Sequence, residues 1–194
     1  MSDANVRNKS RLYLRALCES AIFVAIAVVL NMIRINILPQ GGSVNLVLIP
    51  LAVLSLRWGL GWGMASGLVF GLIKAIMGGG FAWGWQSLLM DYFLSGTVIG
   101  LAGLFYRQGS WRAVLALVVG GVAQYVVHWM AGALIWAEWM PEEFLGMPMV
   151  SPWFYSLLYN GLYMVPNIII CAVILAILVK PLGKYLRGED LVRA

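Results

Sequence analysis

The chain has 194 residues, of which 62% are hydrophobic and 11% charged, with a formal net charge of +5. Soluble domains average about 45 to 50% apolar and about 25% charged residues, so a conventional water-soluble globule is excluded. A chain of this length holds about six membrane spans of roughly 20 residues and then has no room for a soluble catalytic domain. The 13 Lys and Arg are scattered near helix ends instead of forming one stripe, which argues against nucleic-acid binding and for a role in topology.

Arg7, Lys9, Arg11 and Arg15 precede the first apolar run. No small-x-small cleavage pattern follows, so the run reads as a retained first span over 17–35 instead of a signal peptide. Pro39-Gln40-Gly41-Gly42-Ser43 breaks it. The second span, 44–56, "VNLVLIPLAVLSL", is short and carries Pro50, which fits a kinked or partial crossing. The third covers 59–77 and the fourth 85–106, with the Gly78-Gly79-Gly80 hinge between them. The fifth, 113–137, leads into the longest loop, "EWMPEEFLGMPMVSP", and the sixth, 154–179, is expected to stop at Lys180-Pro181. The fold expected is an all-α integral membrane protein, a single six-transmembrane-helix bundle over 1–194.

Eleven of the 13 basic residues fall in the N-terminal tail, at Arg57, at Arg107 and Arg112, and in the tail with Lys180, Lys184, Arg187 and Arg193. Only Arg34 and Lys74 lie on or near the other side, so the positive-inside rule puts both termini in the cytoplasm. The long loop with Glu138, Glu142 and Glu143 then lies outside. Cys18 and Cys171 both sit in apolar segments, and neither a disulfide framework nor a metal cluster follows from them.

Gly59, Gly63, Gly67 and Gly71 recur every four residues along the third span and leave a shallow groove into which another helix can pack closely. Gly96 and Gly100 in the fourth span invite the same explanation. Ala21 and Ala25 form a smaller pattern in the first span, open either to internal packing or to contact with a separate membrane subunit. Glu19 nearby pairs with a basic residue, caps such a contact, or snorkels to the interface.

Polar and aromatic groups gather at the outer level: Asp91 and Tyr92 in the fourth span, His128 and Trp136 in the fifth, and Tyr155, Tyr159, Asn160 and Tyr163 in the sixth. His128, Gly132 and Trp136, four residues apart, share one helix face. A carboxylate in hydrocarbon costs roughly 2.5 to 3.5 kcal/mol, so Asp91 should face the bundle or a wet cavity. It serves either to pin helices, through Ser95, Tyr92 or a backbone group, or to bind a solute. Together the carboxylate, rings, amide and imidazole suit a cationic aromatic solute. Trp58, Trp111, Trp139 and Trp153 read as interface anchors. A lone histidine makes no conventional multi-histidine metal centre, no Ser-His-Asp order is compelling, and no P-loop is present, so the chain is not expected to be an enzyme and ATP use would need another chain.

Five blocks, "LCESAIFVAIAVVL", "LPQGGSVNLVLIPLAVLSLRWGLGWGMASGLVFGL", "WQSLLMDYFLSGTVIGLAGLF", "HWMAGALIWAEWMPE" and "SPWFYSLLYNGLYMVPNIII", together resemble the thiamine-binding S component of energy-coupling factor transporters, the ThiT or YuaJ family. The resemblance implies a six-helix capture subunit of a bacterial cell membrane, working with an EcfT-like membrane coupling protein and two EcfA-like ATPases, with thiamine as transported ligand and no cofactor. It implies ligand contacts at His128, Gly132, Trp136, Tyr155 and Asn160, an acidic position at Asp91 followed by Tyr92, and aromatic positions at Phe70 and Phe81. It also maps the coupling surface to Ala21 and Ala25. Asp91 stands where the family has glutamate, one methylene longer, and Phe70 stands for a tryptophan. The first loop, "RINILPQGGSV", has no tryptophan to match the one that covers the ligand. Two other classes stay open on the residues alone: a stand-alone secondary transporter for an organic cation, with a coupling proton on Asp91 or His128, and a structural assembly subunit.

Overall fold

A computed structural model describes residues 3–38 and 42–191. The expected break at Pro39, Gln40 and Gly41 lies outside them, as does Arg193. Six helical segments follow one another: α1 (Asp3–Met32), α2 (Leu48–Trp58), α3 (Leu60–Met77), α4 (Trp85–Phe105), α5 (Trp111–Leu134) and α6 (Pro152–Leu186). All but α2 are long and apolar enough to span a bilayer. With 11 residues, α2 reaches only about 16 Å, roughly half a hydrocarbon core. Its residues from Pro50 to Arg57 are all buried, so it is an internal strut covered on every side, not a lipid-facing span.

Three ends differ from the sequence expectation: the fifth helix stops at Leu134, leaving Trp136 in the turn that follows it, and two other helices run longer than expected. Helix α1 starts well before residue 17, and α6 runs through Lys180 and Pro181 to Leu186. Proline removes one backbone bond, but tertiary contacts hold the turns beyond it. Leu186 is fully buried, the Tyr185 carbonyl accepts from Arg57 Nη1 at 2.7 Å, and the Tyr185 hydroxyl donates to Glu19 at 2.8 Å.

Arg57 is the centre of that end. Its side chain is wholly buried, and its five N–H groups are spent: Nε and Nη2 on Glu19 at 2.5 and 3.0 Å, Nη1 and Nη2 on Asp190 at 2.8 Å each, and Nη1 on Tyr185. Glu19 also accepts from Arg15 and from Trp58 Nε1, and Arg15 bridges on to Asp190. The guanidinium lies over the Tyr185 ring, 3.8 Å from its centroid. Glu19 is thus paired, not snorkelling, and ties α1, α2 and the end of α6 together.

The glycine ladder of α3 meets that of α4. A Cβ at Gly67 would overlap the carbonyl of Gly96, and one at Gly71 the carbonyl of Tyr92. One at Gly100 or Gly103 would overlap the α3 backbone at Met64 or Leu60. The two backbones therefore pack directly, the use of small residues expected where lipid removes most hydrophobic drive. Below them, Val24, Leu51, Ile99, Leu117 and Cys171 belong to one core shared by α1, α2, α4, α5 and α6.

Two short hairpins close the other end. Ile35–Asn36 pairs antiparallel with Ser43–Val44, and Glu143–Phe144 with Met147–Pro148. The second turns at Leu145 and Gly146, with φ of 55° and 74°, the pair of positive values that matches a two-residue loop to strand twist.

Candidate binding cavity

A cavity of about 830 Å³ opens at the hairpin end. That is within the range that holds a small organic ligand. Seven of the nine expected solute-binding residues line it: Asp91, Tyr92, His128, Gly132, Trp136, Tyr155 and Asn160.

Asp91 lies in a π-helical stretch of α4, Leu88–Leu94, an irregularity that often marks functional positions. Its carboxylate accepts from Ser87 Oγ at 3.0 Å and Trp136 Nε1 at 3.0 Å, with His128 Nδ1 at 3.4 Å. Ser95, a partner considered from sequence, bonds the Asp91 carbonyl instead, at 2.6 Å. Three donors against roughly four lone-pair sites leave the carboxylate room for one more. Because the carboxylate accepts only, a neutral His128 carries its proton on Nδ1 and presents Nε2 as an acceptor.

On α5 and α6 the packing is tighter than spacing suggests. A Cβ at Gly132 would overlap Ser156 Oγ and come 3.2 Å from Asn160 Nδ2, so the space beside Gly132 is taken by protein. Asn160 is 6% exposed; its Nδ2 donates to the Ser156 carbonyl, Ser156 Oγ and the His128 carbonyl, while Oδ1 accepts from the Tyr163 hydroxyl at 2.6 Å. What it can offer a ligand is the remaining lone pair of Oδ1, not an N–H. Tyr155, Tyr159 and Tyr163 form a ladder of rings 5.6 and 6.4 Å apart, and Phe144 of the outer hairpin stands edge-on to Tyr155 at 5.3 Å. Trp136 meets Trp83 edge-to-face at 5.7 Å.

Two expected positions do not line the cavity. Phe70 is 3% exposed and packed in the core. Phe81 is 59% exposed on the 3-10 turn Gly80–Trp83. Three residues per turn set Phe81 and Trp83 on different sides, and Trp83 is the ring that faces the cavity.

Trp139, read as an interface anchor, also lines the wall, as do Arg34 and Lys74, read only as topology markers. Lys74 Nζ is 3.4 Å from the Asp91 carbonyl and 5.1 Å from the Tyr92 ring centroid. A signal for it existed: Lys74 is the one cation within its apolar span and follows Gly71 by three residues, on the face toward α4. The cavity thus joins one carboxylate, two cations, an imidazole and at least five rings, without a group of His, Cys, Asp or Glu able to hold a metal among the described residues.

Residues 17–186 match the family model described as thiamine transporter protein, Thia_YuaJ. The chain is 35% identical to the thiamine transporter ThiT of Bacillus subtilis strain 168, covering 94% of this chain and 98% of that one. It is 27% identical to the thiamine transporter ThiT of Lacticaseibacillus paracasei, covering 74% and 76%. The solved structure of ThiT from Listeria monocytogenes superposes with a TM-score of 0.77 at 26% identity, covering 90% of this chain and 98% of that one.

Proposed function

Since the chain belongs to the thiamine transporter family Thia_YuaJ, we propose that it is the substrate-capture subunit of an energy-coupling factor importer and holds thiamine in the cavity beside Asp91. The observation that carries this reading is a carboxylate set within an apolar helix, fixed by three donors, and open to an aromatic-walled cavity.

Thiamine joins an aminopyrimidine to a cationic thiazolium. The aminopyrimidine supplies the N–H that the remaining Asp91 site can accept, and Trp136 offers it a ring face. The thiazolium lies toward Tyr155 and Tyr159, where ring faces attract a cation and where it is held off from Lys74 and Arg34. No bond is made or broken in capture.

Both termini lie in the cytoplasm in this reading, and the cavity opens outward. An EcfT-like coupling protein and two EcfA-like ATPases supply the energy, and reorientation of the whole subunit exposes the ligand inward. Ala21 and Ala25 are suited to the coupling contact: both are exposed on α1, whereas Ala16, Ser20 and Ala27 turn into the bundle. The test is equilibrium binding to the purified chain of thiamine, its phosphates, the free pyrimidine and the free thiazole. Tight binding of thiamine without other chains supports capture; no binding across the set defeats it.

A further inference from the structure

A second concavity, of about 1160 Å³, lies between the first turns of α5 and the last turns of α6. Trp111 at its rim is about 25 Å along α5 from His128, so the two cavities face opposite ends of the bundle. We propose that this groove is a binding site for an anionic phospholipid, with its phosphate against Lys180 and Lys184 and one acyl chain along Leu115, Val118 and Ala176.

The lining divides by chemistry. Its deep part is aliphatic, from Leu115 and Val118 on α5 and Ala176 and Val179 on α6. Its mouth carries Lys180 and Lys184, one turn apart on one helix face, with Ser110 opposite. No acidic residue lines the groove. The ammonium groups of Lys180 and Lys184 have no hydrogen-bond or ion-pair partner among the described residues, whereas neighbouring Arg187 is already bound to Glu189 at 2.7 Å and Arg112 to Gln108 at 3.0 Å. Ser110 makes no capping bond, so the first amides of α5 also lack a side-chain acceptor. Trp111, 65% exposed at the rim, has the amphipathic ring favoured at headgroup depth. A soluble anion would engage the lysines alone; an anionic lipid engages both halves, its headgroup at the lysines and its chain along the aliphatic floor, and basic recesses between membrane helices are known to suit such headgroups.

The experiment uses the purified chain in mixed micelles. Native mass spectrometry measures retained phosphatidylglycerol and phosphatidylcholine from an equal mixture, and thermal unfolding is followed with each lipid and with glycerol phosphate. Phosphatidylglycerol should be retained preferentially and raise the unfolding temperature. The double variant Lys180→Gln, Lys184→Gln, altering two exposed side chains, should lower that preference by roughly 30-fold, taking each lysine near an anionic headgroup at its usual strength. Val118→Trp should lower phosphatidylglycerol retention with both lysines present. Equal retention of the two lipids, an unchanged preference in the double variant, or equal stabilisation by glycerol phosphate alone would each overturn the proposal.

Discussion

Asp91→Asn tests the centre of the proposed site. The substitution keeps the shape of the side chain but exchanges one acceptor oxygen for an NH2, which then faces either Ser87 and Trp136 Nε1 or His128 Nδ1, and leaves an uncharged group with one acceptor fewer for the ligand. A hydrogen bond to a charged group contributes about 1.5 to 3 kcal/mol, so thiamine affinity should fall roughly 10-fold to 160-fold. Asp91→Glu should retain binding, because the longer carboxylate still accepts. Calorimetric titration with thiamine and with an analogue lacking the pyrimidine amino group separates the roles: wild type should discriminate between them, and Asp91→Asn should lose most of that discrimination. Trp136→Ala should weaken both ligands alike through lost ring contact. A folded Asp91→Asn that binds both ligands as wild type does would refute the argument and leave Asp91 as a helix-pinning group.

Arg57→Gln removes two charge-assisted bonds to Glu19 and two to Asp190, leaving Glu19 with Arg15, Trp58 and Tyr185, and should cost on the order of 3 kcal/mol, seen as a lower thermal unfolding temperature with ligand selectivity intact. Asp190, beyond the spans, is held at a pKa of about 2, below its ordinary 3.8, chiefly by the hydrogen bonds from Arg57 and against some burial. A depressed folded pKa means the unfolded chain protonates first; this contribution is whole above about pH 4 and is lost as pH falls through about 2, a slope that Asp190→Asn should remove from an acid titration of stability. Gly67→Leu should force α3 and α4 apart and abolish folding as read by size-exclusion elution, since the added atoms would overlap the Gly96 carbonyl, whereas Gly61→Ala, with nothing near its Cβ, should be silent. Ala21→Leu with Ala25→Leu should lower co-purification with the coupling protein and spare thiamine binding, both side chains being exposed; equal loss of folding would return them to internal packing.

Helix existence was legible because apolar runs and glycine spacing are local signals, and the α3–α4 contact follows from the four-residue repeat. The end of α6 was not. Lys180-Pro181 carries a stop signal that long-range bonds from Arg57 and Glu19 override, and no local pattern announces those partners. Asp91 stood out in the sequence by its cost in lipid, but its donors come from α4, from α5 and from Trp136 in the turn after α5, and depend on how those helices turn about one another. Phe70 and Phe81 were aromatic at plausible positions, and only burial shows that one fills the core and the other faces outward. Arg34 and Lys74 were hidden by their use in the charge count, which reads a cation as a side marker and not as a wall.

The backbone-to-backbone seam between α3 and α4 has a mechanical corollary. Where glycines bring the two backbones into contact there are no side chains to shear or swap rotamers, so the pair behaves as a stiff plank, and Lys74 and Asp91 are carried on it at fixed spacing. The facing wall of α5 and α6 is bonded behind the cavity through Ser156 and Asn160, but on its cavity side the Phe144 hairpin and the Tyr155 and Tyr159 rings meet one another by edges and tilts, which tolerate sliding. Entry and exit of a solute should therefore deform the tyrosine wall and leave the carboxylate where it is, so that the protein breathes on one side only.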